Sequence, residues 1–391
     1  MFKKFLVLFI LFQLVLPTSI FSQWKNVGIG GNTGQLKYFF DALKDSKNKK
    51  LRIAHYGDSI IEGDIVTMDL RETFQKKFGG NGAGFISINT DDIKMRKSTT
   101  LSFSNDWKEA SLFKRNPNKW PFGMNAAVFV PAAKSWVKYE TSRLSKTLTN
   151  FNTARLFYIN QDNNASVKYT LGKETKTVKL DKSSEVKELV MKSGSPVNSV
   201  NIEFENASNS YFFGVSLENG NGVYVDNFPV KGNSGVSLID IPANVLKDFN
   251  QLLNYKLIII NFGINVLSPE HNDYEWYARK MEKVINHFKS AFPNTSILLV
   301  TVGDKGVKRG SKFISDPGIN MLLKAQKDVA NKTGVAYWSL FDAMGGENSI
   351  NGWVNAGPPL VFKDYAHLTY EGGAKVAELL SNALINEYNK K

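Results

Sequence analysis

Residues 256–262 read Lys-Leu-Ile-Ile-Ile-Asn-Phe, an almost unbroken apolar run. A strand with one wet face would alternate polar and apolar residues. A continuous run instead fits a strand buried on both faces, as in a parallel sheet with helices on either side. The downstream chain agrees. Tyr277, Met281, Val284 or Ile285, Phe288 and Phe292 recur at helical spacing, and 297–302 is a second apolar run. Asp316-Pro317 reads as an N-cap with Pro in the first turn of a helix reaching about residue 332. Residues 335–341 form another strand pattern, and 371–388 a last helix. The same grammar opens the chain. A short helix pattern at 36–43 precedes a strand at 51–55, which breaks at Gly57; Val66, Leu70, Phe74 and Phe78 then mark one helical stripe. That helix stops at Gly79-Gly80-Asn81-Gly82. Alternating strands and helices predict an α/β fold with a parallel sheet covered on both faces.

Between about 91 and 228 the grammar changes. Helical stripes are scarce, and short strand-like runs lie between turn residues. Residues 167–170 and 176–180 alternate at period 2, as half-buried strands do. Residues 154–159 and 211–215 are more continuously apolar, which predicts deeper burial. This stretch reads as an all-β module inserted into the α/β domain. The expected division is a signal peptide at 1–22, the first part of the α/β domain at 23–90, the insert at 91–228, and the second part at 229–391.

The signal is read from Met1-Phe2-Lys3-Lys4, an apolar run over 5–16, and the small residue Ser22 before Gln23. That is the charged, apolar and polar order of a secretory leader. The apolar run is shorter than the ~20 residues of a membrane span. The expected destination is outside the cytoplasm: periplasm, cell envelope or secreted, with no transmembrane segment after cleavage.

The 391 residues contain no cysteine and only four histidines, which excludes thiol nucleophiles, disulfides and zinc fingers. No metal site or cofactor is expected. A balance of 49 basic to 36 acidic residues gives +13. The excess is spread without an Arg-rich run, so it speaks to solubility and weak affinity for acidic surfaces rather than to nucleic acid.

Four motifs carry chemistry. Gly57-Asp58-Ser59 follows the first strand and precedes a helix, where an open α/β sheet places its ligands. Asp364-Tyr365-Ala366-His367 precedes the last helix; a carboxylate three residues ahead of a histidine can fix its tautomer and steady its cation. Gly263-Ile264-Asn265 follows the apolar strand, and its side-chain amide can donate to a developing oxyanion. Ser234-Gly235-Val236 lies where the chain returns from the insert, and Gly235 either presents a backbone N–H or is a turn glycine.

The order Ser, Gly, Asn, His, each at a strand end or helix start, resembles the SGNH, or GDSL-type, esterase family over about 51–90 and 229–391. The resemblance implies a flavodoxin-like three-layer α/β/α domain. It implies Ser59 as nucleophile, His367 as base and Asp364 as its orienter. The oxyanion hole would be the N–H groups of Ser59 and Gly235 with the side chain of Asn265. A further likeness runs through Gly63-Asp64, Thr67, Leu70-Arg71, Gly82-Ala83-Gly84-Phe85 and Asp342-Ala343-Met344-Gly345-Gly346, with Asn348-Ser349-Ile350 and Trp353. These are similar to the periplasmic peptidoglycan O-acetylesterase branch, which carries a β-rich, carbohydrate-module-like insert. Two positions depart from that branch: Ile60 stands where His often follows the Ser, and Val266 where an acidic residue often follows the Asn.

The resulting expectation is an exported serine esterase that removes O-acetyl groups from a glycan, with peptidoglycan first. A glycan O-acetyltransferase on the same scaffold and a non-catalytic glycan-binding surface protein are the alternatives. The acetylated glycan is the expected partner, and the oligomeric state is open. Trp353 either stacks on a sugar or packs. Trp107, Trp120 and Trp136 either line a glycan site or fill the β module. His55 reads as a packed strand residue, His271 and His287 as surface residues.

Overall fold

The computed structural model describes residues 24–142, 149–268 and 273–390. The predicted signal and His271 lie outside them. A central sheet carries the strands Gly30–Gly31, Ala336–Trp338, Ser296–Val300, Tyr255–Asn261, Lys50–Gly57 and Gly222–Pro229, in that spatial order. All neighbours run parallel except Gly30–Gly31 at one edge. Tyr255–Asn261 sits inside the sheet, which explains its continuous apolar run. Its Leu257 and Ile259 enter one core; Ile258 and Ile260 enter the other. Helices Ala243–Leu253, Glu275–Ala291 and Ile319–Thr333 bury their stripes on the Ile258 side. Helices Lys37–Lys44, Thr67–Phe78 and Tyr370–Asn389 cover the other. This is the three-layer α/β/α arrangement. Each fully buried large apolar side chain contributes about 1.5–3 kcal/mol relative to exposure.

The insert is a β-sandwich. Its outer sheet orders Glu174–Lys179, Ser166–Leu171, Ser199–Glu205, Trp136–Thr141 and Thr99–Phe103. Its inner sheet orders Ser183–Val197, Phe151–Asn160, Ser210–Asn219, Ala127–Val130 and Lys108–Ser111. Tyr139, Val167, Ile202 and Phe204 of the outer sheet meet Leu156, Phe212 and Leu217 of the inner one. The inner sheet is covered on its second face too. Phe157 and Phe213 each lie 5.5 Å from Phe249 of helix Ala243–Leu253. That double burial is why 154–159 and 211–215 lack alternation.

The boundaries differ from the sequence reading at both ends. Asn81–Ser87 pairs antiparallel with Ser210–Asn219 and belongs to the insert. Gly222–Pro229 pairs parallel with Lys50–Gly57 and belongs to the central sheet. The insert therefore spans about residues 81–219 rather than 91–228. Both strands are short apolar runs flanked by glycine, and only pairing distinguishes their sheets. Glu174–Lys179 is an edge strand and largely exposed, not half-buried; its lysines suit an edge that must not pair further.

Candidate active site

Ser59 stands at the end of the strand Lys50–Gly57, in the first position of a 3₁₀ turn, Ser59–Asp64. Asp58 caps that turn, its Oδ1 accepting from the Ile60 N–H at 3.0 Å. The loop bearing Asp364 and His367 closes on itself. Phe362 N–H donates to His367 O at 2.9 Å, and Tyr365 N–H to Phe362 O at 3.0 Å. The helix after it is capped by Thr369, whose Oγ1 accepts from Gly372 N–H.

These two elements bring the three residues together. Ser59 Oγ lies 3.1 Å from His367 Nε2, and His367 Nδ1 lies 2.7 Å from Asp364 Oδ2. An ionised carboxylate only accepts, so Nδ1 carries the ring proton and Nε2 is left to accept from the Ser59 hydroxyl. Asp364 Oδ1 also accepts from the N–H groups of Ala366 and His367, at 3.0 and 3.1 Å. Burial alone would raise the Asp364 carboxyl, but the backbone and ring N–H groups of His367 and the Ala366 N–H bring it below the ordinary value.

Gly235 and Asn265 come together through a residue the sequence reading did not single out. Asn233 Oδ1 accepts from the Gly235 N–H at 2.7 Å, and Asn233 O accepts from Asn265 Nδ2 at 3.2 Å. Asn265 Nδ2 has a second N–H to offer; the single Gly235 N–H is engaged. Gly235 needs its lack of a side chain twice over. Its φ is 88°, and a Cβ there would meet the Phe262 ring at 2.9 Å.

Other partners hold the frame. Gln326 Nε2 donates to Phe262 O at 2.7 Å while its Oε1 accepts from Val302 N–H at 2.8 Å. It thereby ties the Asn265 loop to the neighbouring strand end. A sequence signal existed: Gln326 is a polar residue on the buried stripe Ile319, Leu322, Leu323, Val329 and Ala330. Arg71 is another such residue. It grips Asp64 with two bonds of 2.8 and 3.0 Å and donates from Nε to Val225 O at 2.7 Å. His55 is fully buried, and burial pushes its pKa down to about 4. Its Nδ1 lies 2.9 Å from Thr67 Oγ1, and Thr67 donates to Asn227 Oδ1. Asn227 Nδ2 in turn donates to Ile61 O, inside the turn that begins with Ser59.

Trp353 and Trp107 pack. Trp353 is 0% exposed and donates from Nε1 to Met344 O, so a sugar-stacking role for it is withdrawn. Trp107 lies edge-on to Phe204 and donates to Trp136 O. Trp120 remains partly exposed beside Tyr211. His287 is half-buried, its Nε2 2.8 Å from Ile241 O, rather than a free surface residue.

No family model matches the sequence, and no curated protein matches it. Solved structures do. A peptidoglycan O-acetylesterase superposes with TM-score 0.76 at 18% identity, over 92% of this chain and 98% of that one. That overlap shows the fold: a three-layer α/β/α domain with inserted β-sheets, shared with that esterase. A family two carbohydrate esterase from Cellvibrio japonicus is similar at 9% identity over 74% of this chain and 99% of that one. Its TM-score of 0.30 is too low to bear on the argument.

Proposed function

We propose that this protein is a serine esterase that removes O-acetyl groups from a glycan, with peptidoglycan the first candidate. The observation that carries the reading is the continuous path from Ser59 Oγ through His367 to Asp364, at 3.1 and 2.7 Å. The shared fold with a peptidoglycan O-acetylesterase supports the substrate class. Export, read from the leader pattern at 1–22, belongs to the same proposal, since an acetylated cell-wall glycan lies outside the cytoplasm.

In the proposed reaction Ser59 Oγ attacks the acetyl carbonyl carbon as its proton passes to His367 Nε2. The tetrahedral oxyanion is met by the Ser59 N–H, the second Asn265 Nδ2–H and the Gly235 N–H, once Asn233 Oδ1 yields the last. The sugar oxygen leaves with the proton from His367, and the acetyl group stays on Ser59. His367 then takes a proton from water, whose oxygen attacks the acyl carbon. Acetate departs as the proton returns to Ser59 Oγ. Asp364, ionised throughout, steadies the imidazolium in both halves.

The test is acetate release from O-acetylated peptidoglycan, acetylated xylan and a small acetyl ester. Ser59→Ala and His367→Ala should each lower turnover by about 10³-fold or more. Undiminished release by either variant removes that residue from the mechanism. Release confined to xylan moves the substrate away from peptidoglycan.

A further inference from the structure

Phe113 is 65% exposed, the most of any large apolar side chain among those identified as exposed, and it belongs to the insert. Lone exposed apolar residues need no explanation. This one has a setting. It lines a cleft between the insert and the α/β domain. From the insert come Asn89, Asp92, Glu109 and Lys114; from the hydrolase side come Glu62 and Lys231.

The cleft adjoins the candidate site from two directions. Glu62 lies in the turn that begins with Ser59. The insert's Asp92 Oδ2 accepts from the N–H of Gly63 in that same turn, at 2.7 Å. On the other side, a Cβ on Gly232 would lie 3.9 Å from the Phe113 ring, three residues before Gly235. A ligand in the cleft therefore borders both the nucleophile turn and the oxyanion loop.

Most of its charges already have partners. Lys231 Nζ binds Glu62 Oε1 at 3.0 Å, Lys114 binds Glu109 and Asp91, and Asn89 Nδ2 donates to Glu109 Oε2 at 3.1 Å. Asp92 accepts from Thr90 Oγ1 and Gly63 N–H, and Arg96 Nη2 lies 3.6 Å from Asp64 Oδ2, so most of the charged lining is already engaged. It suits a neutral polyhydroxyl ligand, whose hydroxyls both donate and accept and so join existing networks. An exposed aromatic face completes that chemistry: the weakly positive C–H face of a pyranose fits the negative face of a ring.

We propose that this cleft is a saccharide subsite, holding the sugar beside the acetylated one with Phe113 as its stacking platform. The insert would then take part in choosing the polymer. The proposal rests on the esterase reading above and gives it a substrate-binding surface.

The test compares wild type, Phe113→Ala and Phe113→Trp on p-nitrophenyl acetate and on an O-acetylated peptidoglycan tetrasaccharide. Phe113→Ala should leave kcat/KM for the small ester within about twofold. On the tetrasaccharide it should lower kcat/KM about tenfold, through KM, and Phe113→Trp should restore it. An unchanged tetrasaccharide rate, or an equal loss on both substrates, overturns the subsite. Calorimetry keeps the two readings apart. Ser59→Ala should bind the de-O-acetylated tetrasaccharide about tenfold more tightly than Ser59→Ala/Phe113→Ala. Equal binding, or none by either, overturns the subsite even if acetate release succeeds. Binding that depends on Phe113 upholds it even if no ester is cleaved.

Discussion

Asn233 sets the state of the candidate oxyanion hole. Its Oδ1 occupies the Gly235 N–H, while its Nδ2 donates to Ser237 Oγ at 2.7 Å. An amide oxygen is a neutral acceptor that a developing oxyanion can displace. A carboxylate would hold the same N–H through a stronger, charge-assisted bond and add negative charge beside the oxyanion. Asn233→Asp should therefore lower kcat about tenfold or more, with an unchanged melting temperature. A rate equal to wild type would argue that Gly235 does not serve the oxyanion. Asp58 makes a different prediction. It is buried beside Ser59, and burial pushes its carboxyl up to about 7, against opposing pull from the N–H groups of Ile60, Gly263 and Ile264 and from His367. Its folded pKa thus exceeds the ordinary 3.8. The protonated form is favoured by folding, so this group's contribution is full below about 3.8 and is lost as pH rises through about 7. Asp58→Asn should flatten the fall in melting temperature between about pH 4 and 7. Parallel pH profiles for variant and wild type would contradict the assignment of that slope to Asp58.

At the scale of elements, the hairpin of Gly306–Arg309 and Lys312–Ser315 buttresses the loop that carries the acid–base pair. Phe313 stacks face to face on Tyr365, centroids 3.7 Å apart and planes within 5°. Gly306 N–H donates to Tyr365 O at 2.8 Å. Tyr365 lies between Asp364 and His367 and has a φ of 58°, a conformation that a non-glycine residue holds only under support from its neighbours. Phe313→Ala should lower kcat several-fold, up to about tenfold, with little change in KM. Phe313→Tyr should restore it, and an Ala variant with wild-type kcat would show that the loop stands without the stack. This hairpin was not legible in the sequence. Each strand is four residues long, mostly polar, and lies between a central-sheet strand and a helix. The long elements were legible for the converse reason. Tyr255–Asn261 and Glu275–Ala291 each bury enough apolar surface to write a period into the chain. Ser59, Asn265, Asp364 and His367 were also readable, because each stands where such an element begins or ends. Asn233 was not, since an asparagine in a turn looks the same whether or not it guards a backbone N–H. Asp316-Pro317 misplaced a helix start by two residues. Asp316 Oδ1 accepts from Gly318 N–H, and the helix begins only at Ile319.

Across the whole molecule, the insert is joined to the central sheet by a buried ionic cluster as well as by apolar packing. Arg52, on the strand that leads to Ser59, binds Asp226 of the adjacent central strand from Nη1 at 2.8 and 3.0 Å. Its Nη2 donates to Ser216 Oγ at 2.7 Å and to Glu218, both on an inner strand of the insert. Glu218 also receives Lys50 at 2.7 Å and Arg155 at 3.2 Å. Asp226 Oδ1 accepts from Phe85 N–H at 2.8 Å, and Tyr255 donates to its Oδ2. Almost every polar atom of the cluster is engaged, as buried charge requires. Taking away one member leaves the rest uncompensated, so Arg52→Met should cost about 3–5 kcal/mol of stability. Glu218 gives the same joint a pH dependence. Burial opposes its ionisation, but Arg52, Arg155 and Lys50 together bring its pKa down to about 2 from 4.5. A depressed carboxyl contributes stability that is full above the unfolded value and lost as pH falls through the folded one. The window is therefore about pH 4.5 down to 2. Wild type should lose melting temperature steeply across it, and Glu218→Gln should start lower at pH 7 and fall less. Equal slopes would place the acid sensitivity elsewhere. If the cluster is what couples the two bodies, Arg52→Met should also split a single cooperative melt into two, followed by near-ultraviolet dichroism and tryptophan fluorescence. One unbroken transition at a lower temperature would mean that the Phe157, Phe213 and Phe249 contact alone keeps insert and α/β domain folding as a unit.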